Sequence, residues 1–208
     1  MTNQPQETEV WLRRLQGGDT PALAELFGHY RPRLRQMVQL RMGTQLAVRI
    51  DPSDVLQEVY LDAARKILNY MQAPEVSPFV WLRGLTWDRL SKLQQHHLGA
   101  ECRAANREIQ LPEHSSATLV RQLFAPMAGP GTAVLRTELR DRVRQALDLL
   151  DDTDREMILM RHFEEMSNEE VAEVLGLSPS ATTMRHGRAL MRLKRILESG
   201  SSPGASEP

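Results

Sequence analysis

Apolar positions recur at three- and four-residue steps along most of the chain, which is the spacing of amphipathic α-helices. The clearest early run consists of Leu23, Leu26, Phe27, Tyr30, Leu34, Met37, Val38 and Met42. Thr20 is predicted to cap this helix, with Pro21 at its first position. A shorter helix, EVWLRRLQ, precedes it and ends at Gly17 and Gly18.

Two more long helices are predicted in the first half of the chain. Asp51 and Pro52 open one that runs to about Tyr70. After a proline-containing loop, another begins near Phe79 and continues into the nineties. No alternating strand pattern stands out anywhere, so the predicted fold class is all-α.

Helical periodicity fades between about residues 107 and 135, where prolines, glycines and a Ser-Ser pair are concentrated. This composition predicts a flexible linker over 107–135. The linker divides the chain into two small helical domains, 1–106 and 136–198. A Gly/Ser/Pro-rich tail, 199–208, is expected to be disordered.

The second domain contains the best-specified helix starts. Thr153 and Glu156 have the spacing of a capping box for DREMILMRHF, and Ser167 and Glu170 have it for the next helix. Gly176 then separates this short acidic helix from a long basic helix opened by SPS. Two helices joined by a tight glycine turn predict a helix-turn-helix, whose second helix enters the DNA major groove.

A helical wheel divides the basic helix into two faces. The predicted core face contains Thr182, Ala189, Leu190, Leu193, Ile196 and Leu197. His186 falls within that face and is assigned to packing. The N-terminal turns of such a helix reach the base edges, for which the candidates are Ser180, Thr183, Met184 and Arg188. The candidates for phosphate contacts are Arg185, Arg192 and Arg195.

Charge and composition narrow the function classes. The 208 residues have a net charge of -1, but no acidic residue lies between Glu25 and Asp51 or between Glu173 and Glu198. Separate basic and acidic faces suit a protein that holds DNA with one and a basic protein with the other. The single cysteine, Cys102, excludes internal disulfides and a Cys-rich zinc site. No cofactor, metal or small-molecule substrate is predicted.

The start of the chain, MTNQPQETEV, lacks the basic residues and the apolar run of a signal peptide. No apolar stretch reaches the length of about 18 residues that a membrane span requires. We therefore expect a cytoplasmic protein without a membrane span. No nucleophile–base pair, P-loop or metal cluster is recognisable, so the chain is not expected to be an enzyme.

The stretch DREMILMRHFEEMSNEEVAEVLGLSPSATTMRHGRALMRLKRIL resembles region 4 of bacterial RNA polymerase sigma factors. This resemblance implies a domain that reads the minus-thirty-five promoter element and contacts the polymerase β flap. The alternative is a LuxR-like stand-alone regulator, which shares the DRE start and the SNEEVA-like helix. Its receiver domain would alternate strands with helices, and the all-helical first half argues against that. A helical enzyme or adaptor with a helix-turn-helix-like end is a second alternative.

The stretch DPSDVLQEVYLDAARKIL resembles the sigma region 2 helix that docks on the clamp helices of the polymerase β′ subunit. Asp54, Glu58 and Asp62 are spaced four apart, a stripe of like charge that destabilises an isolated helix. Such a stripe suits a basic partner surface. The predicted docking residues are Asp54, Gln57, Glu58 and Asp62.

The stretch FVWLRGLTWDRLSKLQQHHLGAECRAANRE resembles the part of sigma region 2 that captures the melted minus-ten element. Bases there are held by stacking and by basic grooves, and the candidates are Arg83, Trp87, Arg89 and Lys92. Trp87 is predicted to be an exposed stacking platform and Trp81 to pack in the core. Asp88 and Lys92 depart from the family pattern, and Asp88 is expected to cap or to pair with Lys92.

The resemblance covers roughly Glu9 to Leu197 and implies an alternative sigma factor of the extracytoplasmic-function type. The strings HHLGA and AANRE resemble a planctomycete and verrucomicrobial subgroup. The implied partners are core RNA polymerase and promoter DNA, and an anti-sigma factor is a further partner that the resemblance allows. The implied function is promoter recognition and transcription initiation.

Overall fold

The computed structural model describes residues 4–98, 109–124 and 133–199, and these residues are mostly helical. The chain divides into two compact units, Met1–Glu108 and Ile109–Pro208. No strand occurs among the described residues. The predicted fold class, all-α with two small helical domains, is confirmed.

The first unit begins with α1, Gln4–Gln16, which packs on α2, Pro21–Arg41. Arg14 links the two helices, because its guanidinium donates to both carboxylate oxygens of Glu25 at 2.8 Å. The same side chain donates to Asp19 at 2.7 Å in the connecting turn. The ion pairs of Arg14 therefore hold the short first helix against the longer one.

Thr20 does not cap α2, so that prediction is wrong. The backbone of Thr20 is already helical, with φ -61° and ψ -34°, and its side chain accepts no helix N–H group. The carbonyl oxygens of Asp19 and Thr20 accept the first two helix N–H groups instead, each at 3.1 Å. Pro21 does occupy the first helical position, as predicted.

Three further helices complete the first unit: α3, Gly43–Ala47, α4, Pro52–Gln72, and α5, Pro78–Leu98. Asp51 caps α4, because its carboxylate accepts the backbone N–H of Ser53 at 2.7 Å. The bounds of α4 and α5 agree with the sequence pattern, whereas the one-and-a-half turns of α3 were not predicted.

The core of the first unit lies where α2, α4 and α5 pack against one another. Its fully buried side chains include Leu26, Leu34, Val38, Leu56, Val59, Leu82 and Leu90. Trp81 stacks on Tyr70, with ring centroids 4.5 Å apart. The prediction that Trp81 is a packing residue is therefore confirmed.

The second unit begins inside the predicted linker. Ile109 and Leu111 are buried, and α6, Glu113–Phe124, packs on the following helix with Leu119 completely buried. A flexible linker over the whole of 107–135 is therefore wrong. Its residues 107–108 and 125–132 lie outside the described residues.

The linker prediction failed because residue types that usually indicate a loop lie in the first turns of α6. The Ser-Ser pair, a loop signal in sequence, lies inside the first turns of the helix. There the Ser116 hydroxyl donates to the carbonyl oxygen of Pro112 at 3.0 Å and is almost fully buried. A serine that bonds back to the preceding turn satisfies its own polar group and is tolerated in a packed helix.

Two helices follow: α7, Ala133–Asp148, and α8, Asp152–Ile158, which continues as a π-helical turn, Leu159–Phe163. Phe163 and the apolar side chains of Met157 to Met160 are buried almost completely. This segment is the centre of the second core.

The capping box predicted for Thr153 and Glu156 is wrong. Asp151 is the capping residue of α8, since its carboxylate accepts the backbone N–H of Asp154 at 2.9 Å. The helix therefore starts two residues before the position that the Thr-x-x-Glu spacing indicated. An aspartate is as good a cap as threonine, and here it precedes the threonine along the chain.

The last two helices are α9, Asn168–Leu175, and α10, Pro179–Ser199. The second predicted capping box is confirmed: Ser167 accepts the Glu170 N–H at 3.1 Å, and Glu170 accepts the Ser167 N–H at 2.8 Å. Gly176 ends α9 with φ 63°, a left-handed conformation that favours glycine.

The buried face that the helical wheel predicts for α10 agrees with the structure. Thr182, Ala189, Leu193 and Leu197 are buried, and Leu190 and Ile196 are partly buried. Among the described residues, no helix is both long enough and apolar enough to cross a membrane. The tail predicted for 199–208 lies, apart from Ser199, outside the described residues.

Candidate nucleic-acid interface

All four predicted base-edge residues of α10 are exposed on one side of its first three turns. They are Ser180, Thr183, Met184 and Arg188. Met184 is 60% exposed, and Met191, seven residues further along the same side, is 64% exposed. The helix therefore presents a continuous polar, basic and thioether face.

The start of α10 is held rigidly by hydrogen bonds. Ser178 caps the helix, since its hydroxyl accepts the Ala181 N–H at 3.2 Å. The side chain of Asn168 in α9 donates to the carbonyl of Pro179 at 2.8 Å. The Thr183 hydroxyl donates to the same carbonyl at 3.0 Å. Because the hydroxyl proton of Thr183 is taken up by this hydrogen bond, the side chain presents oxygen lone pairs and a methyl group to an incoming molecule.

The three predicted phosphate contacts have different surroundings. Arg192 donates to Asp151 at 2.9 Å and also pairs with the buried carboxylate of Asp154. Arg185 is partly buried, with Nε 3.9 Å from Asp154. Arg195 is exposed, and no described residue forms an ion pair with it. Among the described residues, Arg195 is therefore the one of these three arginines without an ion pair.

His186 does more than pack. Its Nε2 lies 2.8 Å from Nε2 of His162 in the π-helical turn. Burial is the main cause that lowers the pKa of His162 to about 4, and the neighbouring His186 and Arg161 lower it further. Burial and Arg161 also lower the pKa of His186. The pair is neutral at physiological pH, and no group of three metal-binding side chains occurs among the described residues.

On α5 the predicted minus-ten residues do not form one exposed surface. Arg83 is 6% exposed, so its predicted DNA contact is wrong. Arg89 is partly buried, and its Nη2 lies 3.5 Å from Glu58 on α4. Lys92 and Asp88 are both exposed, but the structure describes no ion pair between these two side chains. Neither expectation for Asp88, capping or pairing, is therefore supported.

Trp87 is half-buried and not the freely exposed platform that was predicted. The guanidinium carbon of Arg41 lies 5.1 Å from the centre of the Trp87 ring, a cation–π distance. Arg41 is 5% exposed, and its carbonyl accepts from Gln94 at 2.9 Å. Sequence reasoning missed Arg41, because it lies in another helix and inside the core pattern.

The acidic stripe of α4 faces solvent. Asp54, Gln57 and Glu58 are exposed, and Asp62 is partly exposed. Asp62 accepts from Arg65 at 3.1 Å, a pair within the same helix. Glu58 also lies 3.5 Å from Nη2 of Arg89, so Asp54 is the carboxylate of the stripe that forms no ion pair with another described residue.

Two exposed leucines lie in this stripe and were missed in the sequence. Leu61 is 46% exposed and Leu68 is 70% exposed. At 100° per residue, Leu61 falls between Gln57 and Asp62 on the helix surface. The sequence did indicate this pair, because two leucines seven residues apart lie on one face of a helix, and neither belongs to the predicted buried residues of α4.

Comparison with known proteins gives these surfaces a context. Residues 140–193 match the family described as "Sigma-70, region 4". The chain is 27% identical over 195 residues to the ECF RNA polymerase sigma factor SigD of Mycobacterium tuberculosis, covering 93% of this chain and 85% of SigD. It is 24% identical over 186 residues to the ECF RNA polymerase sigma factor SigW of Bacillus subtilis, covering 87% and 92%.

A solved structure supports the fold. CnrH, in complex with the cytosolic domain of CnrY, is similar with a TM-score of 0.56 and 23% sequence identity. The similarity covers 94% of this chain and 99% of CnrH. The all-helical arrangement is therefore shared over nearly the full length of both chains.

The capped helix pair and its match define residues 140–193 as a sigma-70 region 4 domain. Similarity to sigma factors also extends across both units. The chain functions as an alternative sigma factor that directs transcription initiation, and over most of its length it is similar to sigma factors of the extracytoplasmic-function type. The LuxR-like alternative is not favoured, because the similarity is not confined to the helix-turn-helix.

Proposed function

We propose that the first unit binds core RNA polymerase and that α10 brings the holoenzyme to promoters by reading the minus-thirty-five element. The observation that carries this proposal is the exposed face of α10, which starts at a well-capped turn and contains no acidic side chain before Glu198. A helix with these properties fits the major groove of DNA. Sigma factors are not enzymes, and we assign no catalytic activity to the chain.

The base-edge roles follow from the hydrogen-bonding capacity of each side chain. Arg188 is exposed, and no described acidic residue pairs with it, so its guanidinium is available for bidentate contact with guanine. The Thr183 oxygen is suited to accept from an amino group of adenine or cytosine. Met184 offers an apolar contact to a thymine methyl group. Ser180 is the fourth candidate.

Backbone phosphates are assigned to the remaining arginines of α10. Arg195 is the strongest candidate, because it is exposed and has no described ion-pair partner. Arg185 keeps part of its side chain in solvent, although one acid lies near it. These contacts set affinity and salt dependence without reading sequence.

Docking on core polymerase is assigned to α4. Its acidic stripe is suited to the basic side chains of the β′ clamp helices, and Leu61 adds an apolar anchor at the centre of the stripe. The predicted polar contacts are Asp54, Gln57, Glu58 and Asp62. The region 4 domain is proposed to contact the β flap.

The minus-ten element is assigned to the exposed side of α5. Trp87 has one ring face near Arg41 and is half-buried, so we propose that a melted base stacks on the remaining accessible face. Arg89 and Lys92 would contact the adjoining phosphates. The buried Arg83 is not included.

The proposal extends to the regulation and the lineage of the chain. CnrH is known in complex with the cytosolic domain of CnrY, and we propose that an anti-sigma factor binds this chain in the same general manner.

We also propose membership of the planctomycete and verrucomicrobial subgroup from HHLGA and AANRE, which lie largely outside the described residues. The role places the chain in the cytoplasm, where polymerase and DNA meet.

The proposal is tested by reconstitution with core RNA polymerase from the source organism. We expect the chain to bind core and to start run-off transcripts from a subset of a genomic promoter library, with no transcripts from core alone. Failure to bind core would contradict the sigma function. Sequence-specific DNA binding without core polymerase would support the LuxR-like regulator instead.

A further inference from the structure

Asp154 lies in the first turn of α8, yet its carboxylate faces α10. Its side chain is 3% exposed, and one of its oxygens pairs with Arg192. The other oxygen lies 3.9 Å from Nε of Arg185. A buried carboxylate is stable only when it is paired and hydrogen-bonded, so removal of its cation would be costly.

Asp151 completes the cluster. One of its oxygens accepts the Asp154 N–H at 2.9 Å and caps α8, and the other accepts from Arg192 at 2.9 Å. The backbone hydrogen bond is the main cause that lowers the pKa of Asp151, and Arg192 contributes. Two carboxylates therefore hold the single guanidinium of Arg192 at the start of α8.

This cluster borders a groove beside the DNA-reading face. The groove has a volume of about 460 Å³ and is lined by Leu177, Ala181, Met184 and the arginines 185, 188 and 192, together with Asp154. DNA phosphates are repelled by carboxylates, and a cation that already has two anionic partners gains little from a third. Arg188, on the same groove, has no described acidic partner.

We infer that Asp154 is a positioning residue that, together with Asp151, holds the half-exposed Arg192 against the start of α8, so that Arg192 anchors the recognition helix and does not neutralise a DNA phosphate. This inference rests on the proposed DNA-reading function of α10. It reassigns one of the three arginines predicted to contact phosphate. Arg195 stays the principal phosphate contact of the helix, and Arg188 stays free to read a base.

The test measures the salt dependence of binding to a 30-base-pair duplex of random sequence, with the full-length chain. Each phosphate contact adds about 0.9 to the slope of log affinity against log salt. We expect Arg195→Gln to lower the slope by about 0.9, and Arg192→Gln to leave it unchanged. Asp151→Asn with Asp154→Asn removes both carboxylates, so this double variant should release Arg192 and raise the slope, and the further change Arg192→Gln should return the slope to the wild-type value.

These outcomes separate positioning from simple structural support. Loss of support alone would lower the melting temperature, but it cannot raise the slope. A slope lowered equally by Arg192→Gln and Arg195→Gln would overturn the inference, and so would an unchanged slope in the double variant Asp151→Asn with Asp154→Asn. If the double variant Asp151→Asn with Asp154→Asn does not fold, the comparison of Arg192→Gln with Arg195→Gln still decides. A wild-type chain without salt-dependent DNA binding would instead count against the proposed function.

Discussion

Nε2 of His162 lies 2.8 Å from Nε2 of His186 and joins the π-helical turn to the middle of α10. Two imidazoles at this distance share one proton, so one ring donates and the other accepts. Burial disfavours a positive charge on His162, and protonation of both rings would place two charges in contact, close to the charge of Arg161. The folded unit therefore requires both rings to be neutral.

This pair predicts a loss of stability in mild acid. The pKa of His162 is lowered from its ordinary value to about 4, so the unfolded chain binds the proton first as the pH falls. Stability is complete above about pH 6.5 and is lost as the pH falls toward about 4. Between about pH 7 and about pH 5 we expect a loss of up to about 2 kcal/mol. Urea unfolding, followed by NMR amide signals of α10, measures it.

A matched pair of variants isolates this effect. His162→Gln removes the titrating ring but keeps hydrogen-bonding capacity, so its unfolding free energy should vary much less between these pH values. His96→Gln, at an exposed position in the first unit, should leave the pH dependence of α10 unchanged. An equal pH dependence in wild type and His162→Gln would show that other groups are responsible.

Two glycines of the second unit should respond to alanine in opposite directions. Gly187 lies mid-helix and exposed, with no atom within 4 Å of an added Cβ, so Gly187→Ala should stabilise α10 by about 0.5–1 kcal/mol. Gly176 has φ 63°, so Gly176→Ala should destabilise the turn by about 1 kcal/mol. Urea unfolding measures both. A destabilised Gly187→Ala would mean that the helix needs a flexible residue there.

Arg188→Ala should weaken promoter binding without affecting core binding. The lost guanine contact is worth about 1–3 kcal/mol, and transcription from cognate promoters should fall accordingly. Run-off transcription and the affinity for core polymerase, measured on the same preparations, test whether promoter binding falls while core binding stays unchanged. Arg144→Ala, at an exposed arginine of α7, is the matched control and should change neither. A fall in core affinity in Arg188→Ala would show that the face assignment of α10 is wrong.

Leu61→Ser should weaken core binding by more than about 1 kcal/mol, because it removes the apolar centre of the α4 stripe. Fluorescence anisotropy with labelled chain and purified core polymerase measures the affinity. Val48→Ser, at a valine that is 86% exposed in the first unit and outside α4, is the control and should bind normally. Equal affinity in wild type and Leu61→Ser would contradict docking through this face.

Asp54→Lys should also weaken core binding, and increasingly so at low salt, because it reverses one charge of the exposed stripe. The same anisotropy measurement at two salt concentrations tests it. Glu75→Lys, at an exposed glutamate in the loop after α4, carries the same charge change elsewhere and is the control. An affinity that does not change with the Asp54 substitution would reject the electrostatic part of the docking surface.

Local signals predicted the parts of this protein that depend on near neighbours in sequence. The Ser167 capping box, the Asp51 cap and the two faces of α10 follow from residues a few positions apart, and the structure agrees with each. Errors arose where two local signals competed. Asp151 and Thr153 are both good capping residues, and only the packed helix shows that the first one is used.

The sequence by itself determined the all-helical class, the helix-turn-helix and the exposed composition of its reading face, because helical periodicity and capping act within a few residues. Tertiary structure alone decided which charges on that face are free. Asp154 and Arg192 are 38 residues apart along the chain, yet they pair in space. The same holds for His162 and His186, and for Arg41 over Trp87. Burial and pairing depend on contacts between helices, which no local pattern specifies.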